Sequence, residues 1–192
     1  MAITYFGRNL EDAGSSSVTV AGYAWRNNPA QVDYVCPGSG NQKLVELSVR
    51  GRLNNAGDTG LIRLAIYNTS LGLLYEGSAA VSLTQTSAYW AGHTAFLDVD
   101  GNPVATPLLT GGTSYIIAVS AILTSGAIYI YRGSGSSGDY KFYNTTDYTV
   151  GFPNEIAAGS DSTSLVDMRA GVEPYVPPDY DFTERHHVRL VF

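Results

Sequence analysis

The sequence predicts an all-β protein, an antiparallel two-sheet β-sandwich of jelly-roll-like kind with extended terminal arms, and three observations carry that prediction. Apolar and polar residues alternate along Val45 to Leu53 and along Leu61 to Tyr67, the period of a half-buried strand rather than of a helix. Clusters of Gly, Asn, Ser and Pro separate the apolar runs at short intervals, as tight turns require. The composition also suits strands, with 21 glycines, 14 tyrosines and only 15% charged residues, and it lacks the charged repeats of surface helices.

Taken in order, residues 1–16 read as an N-terminal arm ending in a glycine and serine cluster, and the sandwich core follows over 17–150. Val18, Val20, Gly22 and Ala24 alternate with Thr19, Ala21, Tyr23 and Trp25 as a first strand, halted at Asn27-Asn28-Pro29. Asp33 to Cys36 has room for a short second strand. In the next strand Val45, Leu47, Val49, Gly51 and Leu53 form one face, and Glu46, Ser48, Arg50 and Arg52 the other. The Asn54 to Gly60 turn leads into LIRLAIY, so these two strands are expected to pair as a hairpin. In LIRLAIY, Ile62, Leu64 and Ile66 face the core while Arg63, Ala65 and Tyr67 face water, which would make a small basic strip of Arg50, Arg52 and Arg63. Asn68 to Gly72 is a turn and Leu73 to Leu83 its antiparallel return.

His93 to Val99 reads as a further strand, followed by a tight turn over Asp98 to Pro103. Along Ser114 to Leu123 both alternating sets are apolar, the mark of a central strand covered on both faces. Ala127 to Arg132 places Tyr129 and Tyr131 on one face. Gly133 to Asp139 is a low-complexity flexible loop, and Tyr140 to Tyr143 a tyrosine-rich strand. Residues 151–185 hold Pro153, Pro174, Pro177 and Pro178 and little periodicity, and an irregular segment of that length points to function or contact. Residues 186–192, HHVRLVF, return as an apolar last strand.

Within Lys43 to Tyr131, the succession VELSVRGRL, IRLAIYNTSLGLLYEGSA, Trp90 and PLLTGGTSYIIAVSA resembles a generic β-sandwich module. Modules of this kind occur in bacteriophage virion proteins, including capsid decoration and fibre proteins, and in secreted carbohydrate-binding domains. The resemblance implies a fold and, through it, two functional settings; no family binding residue carries over by motif.

A chain of 192 residues that is 44% hydrophobic can bury one full core. Its formal net charge of −6 argues against nucleic acid as a partner, because that affinity rests on Lys and Arg displacing counterions. Cys36 is the sole cysteine, so an intrachain disulfide is ruled out. No run approaches the ~20 apolar residues of a membrane helix, and the N-terminus lacks the basic and apolar segments of an export signal. The expected setting is a virion, with an extracellular protein stripped of its leader as the alternative.

Aromatic side chains are the strongest binding signal, since sugar rings and protein partners both use flat apolar faces with polar edges. The candidates are Trp25, Tyr89, Trp90, Tyr129, Tyr131, Tyr140 and Tyr143, with core or sheet-surface packing as the competing role. Asp98, Asp100 and Asn102 offer oxygens at alternating positions, as Ca2+ loops do. They lack the remaining oxygens and the bidentate glutamate, so a plain β-turn is the preferred reading and no other cofactor is expected. His186 and His187 are neighbours on a strand, point to opposite faces and do not suit one metal. No Gly-x-Ser-x-Gly elbow is present, and no spacing singles out a carboxylate pair for glycoside hydrolysis. The function expected is a non-enzymatic virion structural protein, a capsid decoration or head or tail fibre component of a phage, forming a homo-oligomer or contacting other virion proteins. A carbohydrate-binding module with an aromatic platform is the second expectation, and a glycan-active enzyme the third.

Overall fold

The computed structural model describes residues 2–8, 15–18, 23–27, 32–134, 140–143, 150–156, 160–161 and 164–178. In chain order its strands are β1 Thr4–Gly7, β2 Ser15–Val18, β3 Tyr23–Arg26, β4 Asn41–Leu53, β5 Thr59–Tyr67, β6 Leu73–Gly77, β7 Val81–Ser82 and β8 Tyr89–His93. They continue as β9 Phe96–Leu97, β10 Pro103–Val104, β11 Leu108–Thr110, β12 Ile116–Ser125, β13 Ile128–Ser134, β14 Tyr140–Tyr143, β15 Ser160–Asp161, β16 Ser164–Val166 and β17 Met168–Pro174. Among the described residues the only helical element is a 3-10 turn at Val32–Tyr34, so no helix is long and apolar enough to cross a membrane.

Two antiparallel sheets face each other, as the alternation predicts. One runs β1-β17-β4-β13-β16, with β8 and β11 also on β4 and β2 on β13; the other runs β10-β9-β6-β5-β12-β3-β14-β15, with β7 on β5. Leu44, Leu47, Val49, Met168, Ala170 and Val172 from the first sheet meet Ile62, Leu64, Ile66, Ile117 and Val119 from the second in one buried core.

Several local expectations are corrected, each for a packing reason. The strands β4 and β5 do not pair as a hairpin: β4 is bonded to β17, β13, β8 and β11, and the Asn54 to Asp58 turn carries the chain across to the other sheet. Both strands thereby point their apolar faces at the same core. The predicted strand from Ser17 to Trp25 is two strands in different sheets, β2 on β13 and β3 on β12. Asp33 to Cys36 is the 3-10 turn followed by a bridge from Val35 to Ser114. An irregular step between Gly171 and Val172, opposite Glu46 and Leu44, shifts the phase of β4, so Leu44 is buried in place of Val45. The expected arm contains β1, paired with β17, and the irregular 151–185 segment contains β17, a full neighbour of β4. The expected strand at 186–192 lies outside the described residues.

The hairpin β5–β6 is formed, and β12 lies between β5 and β3 as a central strand should. In β5, Ile62, Leu64 and Ile66 are buried as expected, but Arg63, Ala65 and Tyr67 are buried too. The cover is the segment 150–156, which straps the far face of β5. Phe152 and Ile156 pack with Ala65, Tyr67, Leu73, Ile116 and Ala118 in a second apolar cluster. Backbone bonds fix the strap: Leu73 N–H donates to Asn154 O at 2.7 Å, Ile156 N–H to Leu71 O at 3.1 Å, and the Tyr67 hydroxyl donates to Pro153 O at 2.8 Å. Arg63 and Glu76 form an ion pair at 3.0 Å beneath it, and Glu76 Oε2 accepts the Phe152 N–H at 2.7 Å.

The expected Leu73 to Leu83 strand is broken into β6 and β7, and His93 occupies the gap. Reaching over from β8, it accepts the Leu64 N–H on Nε2 at 3.2 Å, filling the ladder position that neither β6 nor β7 supplies. A Cβ at Gly77 would collide with the His93 imidazole, so glycine is required there. His93 is 4% exposed, and burial followed by the Arg63 charge lowers its pKa to about 4. It is a neutral bolt between the sheets.

Candidate functional site

Along β4 the residues Glu46, Ser48, Arg50 and Arg52 share the outer face of the sheet, spaced two apart and spanning about 20 Å. The neighbouring strands place aromatic rings beside each guanidinium. Register sets Trp90 opposite Arg50 and Tyr129 opposite Arg52, while Tyr5 lies opposite Gly171 on β17. Arg169, from β17, lies 4.0 Å from the ring centres of both Tyr5 and Trp90, between the two. Arg52 stacks on Tyr129 at 4.3 Å, and Arg50 lies 4.8 Å from Tyr131.

Hydrogen bonds and ion pairs fix the same strip. Arg169 donates to Ser48 Oγ at 3.2 Å and to Glu46 Oε1 at 3.5 Å, and the Tyr5 hydroxyl donates to Glu46 Oε2 at 2.9 Å. Partial burial, then this bond to Glu46, raises the Tyr5 pKa above its usual value. Arg50 pairs with the fully buried Asp167 at 3.8 Å, and Lys43 with Glu173 at 3.5 Å. Each arginine–ring contact contributes about 0.5–1 kcal/mol at partly exposed positions, so the strip stabilises the sheet as well as presenting a surface. An arginine packed on an aromatic ring still presents a planar fork of N–H donors that suits a carboxylate.

Of the aromatic candidates, Trp90, Tyr129 and Tyr131 meet on this face. Trp25 and Tyr89 do not join them. Trp25 is buried in the main core. Tyr89 turns the other way from Trp90, packs against the core, and accepts the Thr84 N–H on its hydroxyl at 2.8 Å. Tyr140 and Tyr143 belong to β14 in the opposite sheet, and their side chains lie outside the described residues. Arg63, expected on the basic strip, is buried under the strap. Tyr5 and Arg169 lie in stretches that composition alone assigns to an arm and an irregular segment, so sequence does not single them out. The alternation of Met168, Ala170 and Val172 with Arg169, Gly171 and Glu173 was the available signal.

The calcium candidates form a turn. Asp98 Oδ1 accepts the N–H groups of Asp100 at 3.0 Å and Asn102 at 2.8 Å, and these backbone bonds, the Asn102 one foremost, hold its pKa low. Asp98 thus closes the β9–β10 hairpin, as Asx side chains do. Among the described residues no three His, Cys, Asp or Glu gather in a way that could hold a metal. Cys36 is buried, and burial pushes its thiol up to about 11, far from the thiolate a nucleophile needs. No family model, curated protein or solved structure matches the chain. Fold alone does not select a function, so the site must carry it.

Proposed function

We propose that this protein is a non-enzymatic structural subunit that self-assembles through the outer face of the β4 sheet, as a capsid decoration or head or tail fibre component of a phage would. The observation that carries the reading is the strip itself: Arg50, Arg52 and Arg169 interleaved with Tyr5, Trp90, Tyr129 and Tyr131. Arg, Tyr and Trp are the residue types that dominate protein-interface hot spots. At about 20 Å by about 15 Å the strip covers roughly 300 Å², less than half of the ~800 Å² per partner of a stable interface, so it forms a centre that surrounding loops complete. Among the described residues the two groups with large pKa shifts, His93 and Cys36, are both engaged inside the core, which supports the non-enzymatic part. Light scattering on the purified chain tests the reading: an oligomer is expected, and a monomer at every concentration that also binds no particle would overturn it.

A second reading, glycan binding, is favoured by Trp90, Tyr129 and Tyr131 sharing one face. It predicts glycan-array binding that Trp90→Ala abolishes. Against it, a guanidinium already lies against each of these rings, which leaves less free ring surface for a sugar.

A further inference from the structure

The geometry points to Arg52 as the anchor by which one copy of the chain takes a carboxylate from a second copy, an assignment that presupposes self-assembly through this face. The three arginines of the strip are not equivalent. Arg169 is enclosed between two rings and spends its N–H groups on Ser48 and Glu46, and Arg50 faces the buried carboxylate of Asp167. Arg52 is held as firmly, by Tyr129 at 4.3 Å and by Nη1 bonds to the carbonyls of Leu53 at 3.1 Å and Thr86 at 3.4 Å, yet among the described residues it meets no carboxylate. Its charge is fixed in place and no carboxylate among the described residues compensates it. Arginine is the residue suited to such a position, because its planar fork grips a carboxylate bidentately.

Charge complementarity identifies the occupant. Among the described residues of this face Lys43, Arg50, Arg52 and Arg169 outnumber Glu46, Asp167 and Glu173, a net positive set on a chain whose formal charge is −6. A second copy, with 17 acidic residues against 11 basic ones, supplies carboxylates in excess and so complements it. Contact between a basic face and an acidic surface elsewhere on an identical chain is head-to-tail, and repeats into a ring or an open array.

The test is sedimentation of the purified chain and of Arg52→Gln, Arg52→Lys and Arg52→Glu at about 50 mM and about 500 mM salt, with circular dichroism confirming that each variant is folded. Screening should weaken wild-type association as salt rises. Arg52→Glu should weaken it by about tenfold or more at low salt, with Arg52→Gln next and Arg52→Lys closest to wild type, since it keeps the charge and loses the fork. If all three variants associate like wild type, the anchor is wrong while self-assembly stands. If the wild type never associates, both readings fall.

Discussion

Acid should release the bolt that His93 forms between the sheets. Its Nε2 accepts the Leu64 N–H, so the imidazole must be neutral at that nitrogen, and protonation would set two N–H groups against each other beside Arg63. The charge acting on it is that of Arg63, itself paired with Glu76 at 3.0 Å, so an imidazolium there finds little compensation. The folded pKa is about 4 against an ordinary 6.5. Between those values the unfolded chain binds the proton and the folded chain does not, so stability is full above pH 6.5 and falls as the pH drops toward 4. At about 1.4 kcal/mol per unit the loss is about 3 kcal/mol, a large share of the stability of an ordinary domain. Urea unfolding across that range should follow this slope in the wild type. His93→Gln offers an amide oxygen to the Leu64 N–H without titrating, and should lose most of the slope. Equal slopes in the two proteins would refute the assignment, because the remaining carboxylates would then account for all of it.

Glu76→Gln should destabilise the fold by about 3–5 kcal/mol, since it leaves the Arg63 charge buried without its partner; chemical denaturation measures this, and a loss below about 1 kcal/mol would contradict the buried pair. Phe152→Ala should cost about 3–5 kcal/mol and speed hydrogen exchange at the Leu73 and Ile156 amides, both bonded to or from the strap. Cys36 should react with a thiol reagent only after unfolding, because its thiol is buried and pushed up to about 11; prompt reaction in native buffer would contradict the placement.

Strong periodicity was legible in the chain, and context-dependent burial was not. Two antiparallel sheets, the β5–β6 hairpin and the doubly covered β12 follow from alternation that any single strand displays. Whether β4 pairs with β5 or packs across from it is decided by partners far away in sequence, above all β17, so the local turn misleads. Alternation likewise assigns Arg63 and Tyr67 to a wet face, and only the arrival of residues 150–156 makes that face dry. For the site, Arg50, Arg52, Trp90, Tyr129 and Tyr131 were each visible as outward residues. Their association with Tyr5 and Arg169 is a matter of sheet order, which runs β1-β17-β4 and brings the two ends of the described chain together. Trp25 and Tyr89 illustrate the converse: an aromatic in a strand goes to whichever face the register dictates.

The most direct test of the account is the accessibility of Trp90 as the chain assembles. The protein has two tryptophans, of which Trp25 is buried in the core and Trp90 lies half-buried on the strip, so Trp25 supplies a constant background. Fluorescence quenching by iodide, followed across a dilution series that spans association, reads the difference. If the outer face of the β4 sheet is the contact surface, quenching falls as the oligomer forms and returns on dilution. Trp90 quenched to the same extent in monomer and oligomer would contradict the claim and place the interface elsewhere.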